Sequence, residues 1–351
     1  MHAAPQGVPT GSRRGFRQAA QPWNGGDVTP WLGVAAASLA TGLILQPILI
    51  PWLRRRGVMD VPNHRSSHAV VTPRGGGIAV LVALGVGLAV AQITWQCWLV
   101  YLGAVALGLL GLLDDFGGVD ARLRLVALLA VGAIGGAVLD SPAPVLLAIP
   151  IMAFWTAAYV NAFNFMDGIN GISALSGMVA GLSYVAMGVQ YSSSALAALG
   201  AALFGACLSF LPFNLPRARV FLGDVGSYGL GFSIAGSAWL AWAAGVPPLL
   251  ALAPTLVYVA DTGWTLVRRA RAGAPLMEAH REHAYQRLVA GGLSHAHVSL
   301  GVAATSVGVV LAAWAGMRFG ILGVALSVTA IAAILAVYLW APNRRAVAVA
   351  Q

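Results

Sequence analysis

The sequence predicts an all-α, polytopic transmembrane helical bundle of about eleven spans, and three observations lead there. Hydrophobic residues make up 59% of the 351 and charged residues only 9%, with a mean hydropathy of +0.80, which leaves too little polar surface for a water-soluble globule. The apolar residues come in stretches of about twenty, the length a helix needs to cross a bilayer. None of them alternates with period two, so a membrane barrel is excluded, and in lipid a helix satisfies its own backbone polar groups.

The spans follow in order. Trp31–Trp52 runs uncharged into Arg54, Arg55 and Arg56, and Gly77–Thr94 opens at the end of the triple glycine Gly75 to Gly77. Trp98–Leu113 ends on Asp114 and Asp115, Leu123–Leu139 lies between Arg122 and Asp140, and Val145–Tyr159 leads into a run of asparagines. Ile172–Val189 and Ser194–Pro212 are separated by a short serine-rich turn, and Ser227–Ala244 follows GDVG. Pro248–Val267 ends on Arg268 and Arg269, while Val298–Ala315 and Ile321–Trp340 flank Arg318. Most of the 43 glycines are explained by close helix approach in a membrane. Residues 29–342 are expected to form one catalytic transmembrane domain, with 343–351 a cytoplasmic tail. Residues 1–28, rich in Gly, Pro, Gln and Arg without an apolar core, read as a disordered leader and not a cleavable signal. There is no repeat at solenoid periods.

All twenty basic residues are Arg, so a Lys nucleophile or Schiff base is excluded. The net charge of +9 falls in short clusters between apolar spans, a pattern set by membrane topology and not by nucleic-acid binding. One set of loops holds Arg54 to Arg56, Arg65, Arg74, Arg122, Arg124, Arg217, Arg219, Arg268, Arg269, Arg271, Arg281, Arg287, Arg344 and Arg345. The other holds Arg318 and the amino-terminal Arg13, Arg14 and Arg17. The positive-inside rule makes the first set cytoplasmic, with the amino terminus periplasmic and the carboxyl terminus cytoplasmic. Cys97 and Cys207 sit far apart in apolar stretches, which offers neither a disulfide framework nor a CxxC metal site.

The eleven acidic residues carry the functional argument. Asp60, Asp114, Asp115, Asp120, Asp167, Asp224, Glu278 and Glu282 fall in or beside the loops assigned to the cytoplasm, and Asp261 lies within about two turns of them. Two adjacent carboxylates at the end of an apolar span, Asp114 and Asp115, call for a shared cation or proton, unless they form a solvated helix end. In YVNAFNFMDGINGIS the polar residues Asn161, Asn164, Asp167 and Asn170 recur every third position. On one helix face they make either a site for a metal hydrate, uracil, ribose or sugar, or polar glue between helices. In FLGDVGS, Asp224 suits Mg²⁺, and a helix start between glycines offers N–H groups to phosphate; as an N-cap alone it would be unremarkable. HREHAYQRL supplies His280, Arg281, His283 and Arg287 for phosphates, or a solvated basic loop. Zinc is disfavoured at its HxxH spacing because hard oxygen ligands dominate elsewhere. DVPNHRSSHAVVTPRGGG sets Arg65, His68 and Arg74 beside a glycine turn that can hold an anionic head group.

Together these five segments, from about Arg54 to Arg287, resemble the polyprenyl-phosphate N-acetylhexosamine 1-phosphate transferases of glycosyltransferase family 4. The motifs look most similar to the bacterial branch that primes O-antigen and enterobacterial common antigen. A triple-His run, usual in the last cytoplasmic loop of the phospho-MurNAc-pentapeptide transferases, is replaced here by HREH. The resemblance implies transfer of a sugar 1-phosphate from a UDP-sugar to undecaprenyl phosphate, releasing UMP. It implies Mg²⁺ as cofactor, with Mn²⁺ as a substitute, at the inner membrane with the site facing the cytoplasm. Asp114 and Asp115 correspond to the family's paired catalytic aspartates, the first positioning or deprotonating the lipid phosphate. Asp224 corresponds to a Mg²⁺ ligand, Asn164 and Asp167 to residues near metal and nucleotide, and His280, Arg281 and His283 to the loop at the diphosphate or sugar. Arg124 stands where relatives often carry Lys, and it keeps the charge without serving as a neutral base. Asn170, Arg65, His68, Arg74 and Arg124 complete the expected substrate-binding set. The expected partners are undecaprenyl phosphate, a UDP-N-acetylhexosamine, the lipid bilayer and, in a homodimer, a second copy of the chain.

Chemically, an in-line displacement brings anions together, and Mg²⁺ and arginines offset their repulsion. A double displacement through a phosphoryl-aspartate is open at this level. A secondary transporter is the rival reading, but transporters place ionisable groups near the midplane, whereas here the span centres are almost free of charge.

Overall fold

A computed structural model describes residues 28–62, 70–91, 94–275, 280–317 and 319–349, with side chains described as far as residue 343. Residues 1–27 of the expected leader, Arg65, His68, Glu278 and Arg318 lie outside these residues. The described chain is a helical bundle: α1 Thr29–Arg55, α2 Gly77–Val90, α3 Trp95–Gly117, α4 Ala121–Val138, α5 Val145–Met166, α6 Ile172–Gln190 and α7 Ser194–Asn214. It continues with α8 Gly223–Ala243, α9 Pro248–Leu252, α10 Leu256–Arg271, α11 Ala284–Ala290, α12 His295–Gly316 and α13 Gly320–Val349. Among the described residues nine spans, α9 and α10 forming one of them, are long and apolar enough to cross a membrane, and the chain is a multi-pass membrane protein.

Each of the eleven expected spans meets a helical segment. Two of them, α2 and α8, fall outside the nine for different reasons. With 14 residues, α2 is short. With 21, α8 is long, but its sequence GDVGSYGLGFSIAGSAWLAWA is rich in small and polar residues. Those residues suit its place, because α8 is buried along almost its whole length against α2, α3 and α5, so it faces protein and not lipid. Between α9 and α10 a 3₁₀ turn, Ala253–Thr255, interrupts the span at Pro254, which has no N–H to continue an α-helix. Where a tail was expected from residue 343, α13 runs on to Val349 through Pro342.

Three helices overrun the expected boundaries and in doing so bring the acids onto helix ends. Past Asp114 and Asp115, α3 stops where Gly118 turns to φ +72°. Helix α5 carries Asn161 and Asn164 before ending at Met166, and α8 starts at Gly223. The packing beneath them is backbone on backbone. A Cβ on Gly77 would overlap Gly226 Cα, and one on Gly111 would overlap the Asp224 carbonyl.

Gly77→Ala is therefore expected to cost about 1–3 kcal/mol through overpacking. Gly301→Ala, in α12 with open space around the position, should be neutral or stabilising by up to about 1 kcal/mol. Thermal denaturation in detergent compares them, and equal midpoints would remove the close-approach argument.

Between α1 and α2, strands β1 Met59–Asp60 and β2 Thr72–Pro73 pair antiparallel, and Arg74 bridges to Phe221 in the loop before α8. The N–H groups of Gly75 and Gly76 donate to the Phe221 carbonyl at 3.2 and 2.9 Å, and that of Gly77 to the Leu222 carbonyl at 2.8 Å.

Candidate active site

The ends of α3, α5 and α8 meet, and the acids on them divide into distinct tasks. Asp115, its side chain 1% exposed, accepts from Val225 N at 3.2 Å, so it caps the first turn of α8 from a neighbouring helix. Arg74 donates to its backbone carbonyl and stands 3.6 Å from its carboxylate. One position earlier, Asp114 faces elsewhere. It accepts from Arg124 Nη1 at 2.7 Å, Val119 N at 2.7 Å and Tyr228 OH at 3.4 Å. Arg124 also reaches the Tyr228 hydroxyl at 3.4 Å.

Asp224 lies in the first turn of α8. Asn164 Nδ2 donates to its Oδ1 at 2.8 Å and to Ser227 Oγ at 2.9 Å, so the α5 amide orients the α8 carboxylate. Asp167 follows the last residue of α5 and accepts from Ser173 Oγ at 2.6 Å. Burial, with help from the charges of Asp224 and Asp115, pushes the Asp167 carboxyl up to about 8 against the pull of the Ser173 hydroxyl. These carboxylates thus lie within electrostatic reach of one another. Among the described residues no three His, Cys, Asp or Glu side chains close into a metal cage. Mg²⁺ does not require one, since it commonly takes one or two carboxylates and fills the rest of its shell with phosphate and water oxygens. Asp167 and Asp224 each have Oδ1 engaged by a single donor, while Oδ2 accepts no hydrogen bond among the described residues. Two hard oxygen donors in a crowded field of negative charge fit a divalent cation.

Three expectations need correcting. The ladder of four polar residues does not share one helix face, because α5 ends at Met166. Asn161 Nδ2 turns back to the Ala157 carbonyl at 2.7 Å, and Asn170 Nδ2 donates to the Pro216 carbonyl at 3.1 Å. At the start of α8 the Val225 amide is taken by Asp115 and not left to phosphate. Nor is the triple glycine an anion nest, since Phe221 and Leu222 occupy its N–H groups.

The basic loop docks on the turn after α5. Tyr285 OH donates to the Phe165 carbonyl at 2.9 Å, and a Cβ on Gly168 would overlap that hydroxyl. His283 is 3% exposed, with its ring 6.2 Å from that of Phe165. His280 is half-buried and Arg281 exposed. Burial, then the neighbouring His283 and Arg269, lower the His280 pKa, so its imidazole is neutral at pH 7.

Sequence similarity now bears on this cluster. The glycosyl transferase family 4 model matches residues 97–241, which carry Asp114, Asp115, Asp167 and Asp224. The decaprenyl-phosphate N-acetylglucosaminephosphotransferase of Mycobacterium tuberculosis is 30% identical over 297 residues, covering 70% of this chain and 72% of that protein. The chain belongs to glycosyl transferase family 4. The probable undecaprenyl-phosphate N-acetylglucosaminyl 1-phosphate transferase of Bacillus subtilis is 29% identical over 276 residues, covering 74% of this chain and 77% of the relative. The phospho-N-acetylmuramoyl-pentapeptide-transferase of Heliobacterium modesticaldum is 30% identical over 261 residues, covering 66% and 79%.

Within this glycosyl transferase family 4 chain, sequence reasoning passed over Tyr228, Ser173 and Ser227. Tyr228 stands four residues after Asp224 on one helical face, a spacing that marks it as a neighbour. Ser173 and Ser227 give no such signal, since serines are common at helix starts.

Proposed function

We propose that this protein transfers N-acetylhexosamine 1-phosphate from a UDP-sugar to undecaprenyl phosphate, releasing UMP, at the cytoplasmic face of a bacterial inner membrane. The observation that carries the reading is the meeting of Asp114, Asp167 and Asp224 at one pole of a bundle whose spans are otherwise almost uncharged. The relatives named for N-acetylglucosamine support that sugar, and a role in starting a cell-envelope polysaccharide such as O-antigen follows from the lipid product.

In this reading a lipid phosphate oxygen attacks the sugar-bearing phosphorus. A new P–O bond forms as the bond to UMP breaks. Arg124 attracts the lipid phosphate to Asp114, which takes any proton the phosphate carries, and Tyr228 steadies that carboxylate. Asp167 and Asp224 would hold Mg²⁺, which would supply positive charge against the diphosphate and the departing UMP. Asn164 keeps the Asp224 carboxylate in place, and the loop at His280 and Arg281 takes the donor phosphates.

The test is a donor screen with purified protein, undecaprenyl phosphate and Mg²⁺, reading UMP and lipid-linked sugar. A phospho-MurNAc-pentapeptide donor belongs in the screen; turnover confined to it moves the protein to that activity, and no UMP from any donor defeats the reading.

A pH dependence follows from Asp167. With its pKa at about 8, the carboxyl is largely protonated at pH 7, and a cation must displace that proton to bind. Affinity for Mg²⁺ is expected to rise with pH through about 8 and to level at about pH 9, half-saturation falling about fivefold from pH 7 to pH 8. In Asp167→Asn the slope between pH 7 and pH 8 should shrink; an unchanged slope there assigns the proton to another group.

A further inference from the structure

The loop that carries His280 and Arg281 is held from below by a carboxylate outside the acidic cluster. Asp261, on α10, is fully buried. Its Oδ1 accepts from Ala284 N at 2.9 Å and Thr265 Oγ1 at 3.3 Å and stands 3.4 Å from His283 Nδ1. Its Oδ2 accepts from Tyr338 OH at 2.7 Å and Tyr285 N at 3.4 Å. A carboxylate buried this deeply needs donors on both oxygens, and here they come from α10, α11 and α13. Above it, the His283 ring lies 5.1 Å from that of His280 and stacks on Tyr285 at 5.9 Å. On the other flank, Arg268 Nη2 donates to the Glu282 carbonyl at 2.8 Å, Arg269 pairs with the Glu282 carboxylate, and Arg269 Nη2 reaches the Pro275 carbonyl at 2.6 Å. The stem is therefore gripped on both sides, with His280 half-buried and Arg281 exposed.

We propose that Asp261 and Tyr338 are positioning residues for the donor loop: a carboxylate on α10, tied by a hydroxyl on α13, anchors the start of α11 and so sets where His280 and Arg281 stand. His283 then acts as a buried pivot and not as a ligand. This rests on the reading of that loop as the donor-phosphate site.

Tyr338→Phe removes one oxygen and keeps the packing of the ring. Loss of a hydrogen bond to a carboxylate is expected to raise KM for the nucleotide-sugar about tenfold, with kcat and KM for the lipid phosphate nearly unchanged. In a background of His280→Ala with Arg281→Ala the same change should no longer affect donor KM, because the positioned groups are gone. A general loss of packing would instead lower kcat and act alike in both backgrounds, and either that result or an unchanged donor KM overturns the proposal. Asp261→Asn, where it folds, should exceed Tyr338→Phe in the same direction. If the wild type turns over no donor, the functional reading has failed on its own. Positioning is then decided by hydrogen exchange at the Ala284–Ala290 amides: faster exchange in Tyr338→Phe sustains it, and unchanged exchange overturns it.

Discussion

Asp224→Asn is expected to lower turnover by about a thousandfold or more while the protein stays folded. The substitution keeps the size of the side chain and a carbonyl oxygen for Asn164 Nδ2, which now donates to Oδ1 at 2.8 Å. Capping of α8 is untouched, since it comes from Asp115. What disappears is one negative charge and one hard oxygen donor beside Asp167. Folding should not suffer, because the removed charge repels Asp167 in the absence of a cation. Catalysis should, because an amide oxygen is a far weaker partner for Mg²⁺ than a carboxylate. The measurement is UMP release across a Mg²⁺ titration, together with a thermal midpoint in detergent. A fall in kcat with a raised Mg²⁺ requirement and an unmoved midpoint is the expected result; retention of wild-type turnover would remove Asp224 from the chemistry.

Much of the architecture was legible because lipid imposes a simple rule, a long uncharged run for each crossing. That rule loses force where a helix faces protein. Helix α8 carries serines, glycines and an aspartate through the centre of the bundle, and only its neighbours explain them. The same applies to the ends of α3 and α5, where polar residues stay helical because the opposing helix supplies their partners, Val225 N for Asp115 and Asp224 for Asn164. Periodicity misled at Asn170 because spacing says nothing of where a helix stops. Asp261 was visible as an acid near the interface, but its bond to Tyr338 joins residues 77 positions apart and leaves no local trace.

Asp114 and Asp115 give the clearest case of what adjacency conceals. Successive residues on an α-helix point about 100° apart, so two neighbouring carboxylates cannot serve one site in the same way. The structure turns Asp115 inward onto the start of α8 and Asp114 toward Arg124 and Tyr228. Replacing them should therefore have opposite signatures. Asp115→Ala strips the α8 amide of its acceptor and leaves Arg74 without its carboxylate, at a cost of about 2 kcal/mol in stability. Asp115→Asn, which retains an acceptor oxygen, should recover much of that stability and of the activity. Asp114→Asn leaves Arg124 and Tyr228 an oxygen to bond and loses only the Val119 N–H bond, so the thermal midpoint should fall less than in Asp115→Ala, yet the variant can neither take a proton from the lipid phosphate nor balance Arg124. Turnover is expected to fall by about a thousandfold, an effect on kcat that no loss of folded protein accounts for. Midpoint and kcat measured side by side for the three variants decide the matter. Equal losses of stability at both positions, or an active Asp114→Asn, would mean that the pair acts as a unit and that the division of labour drawn from their partners is wrong.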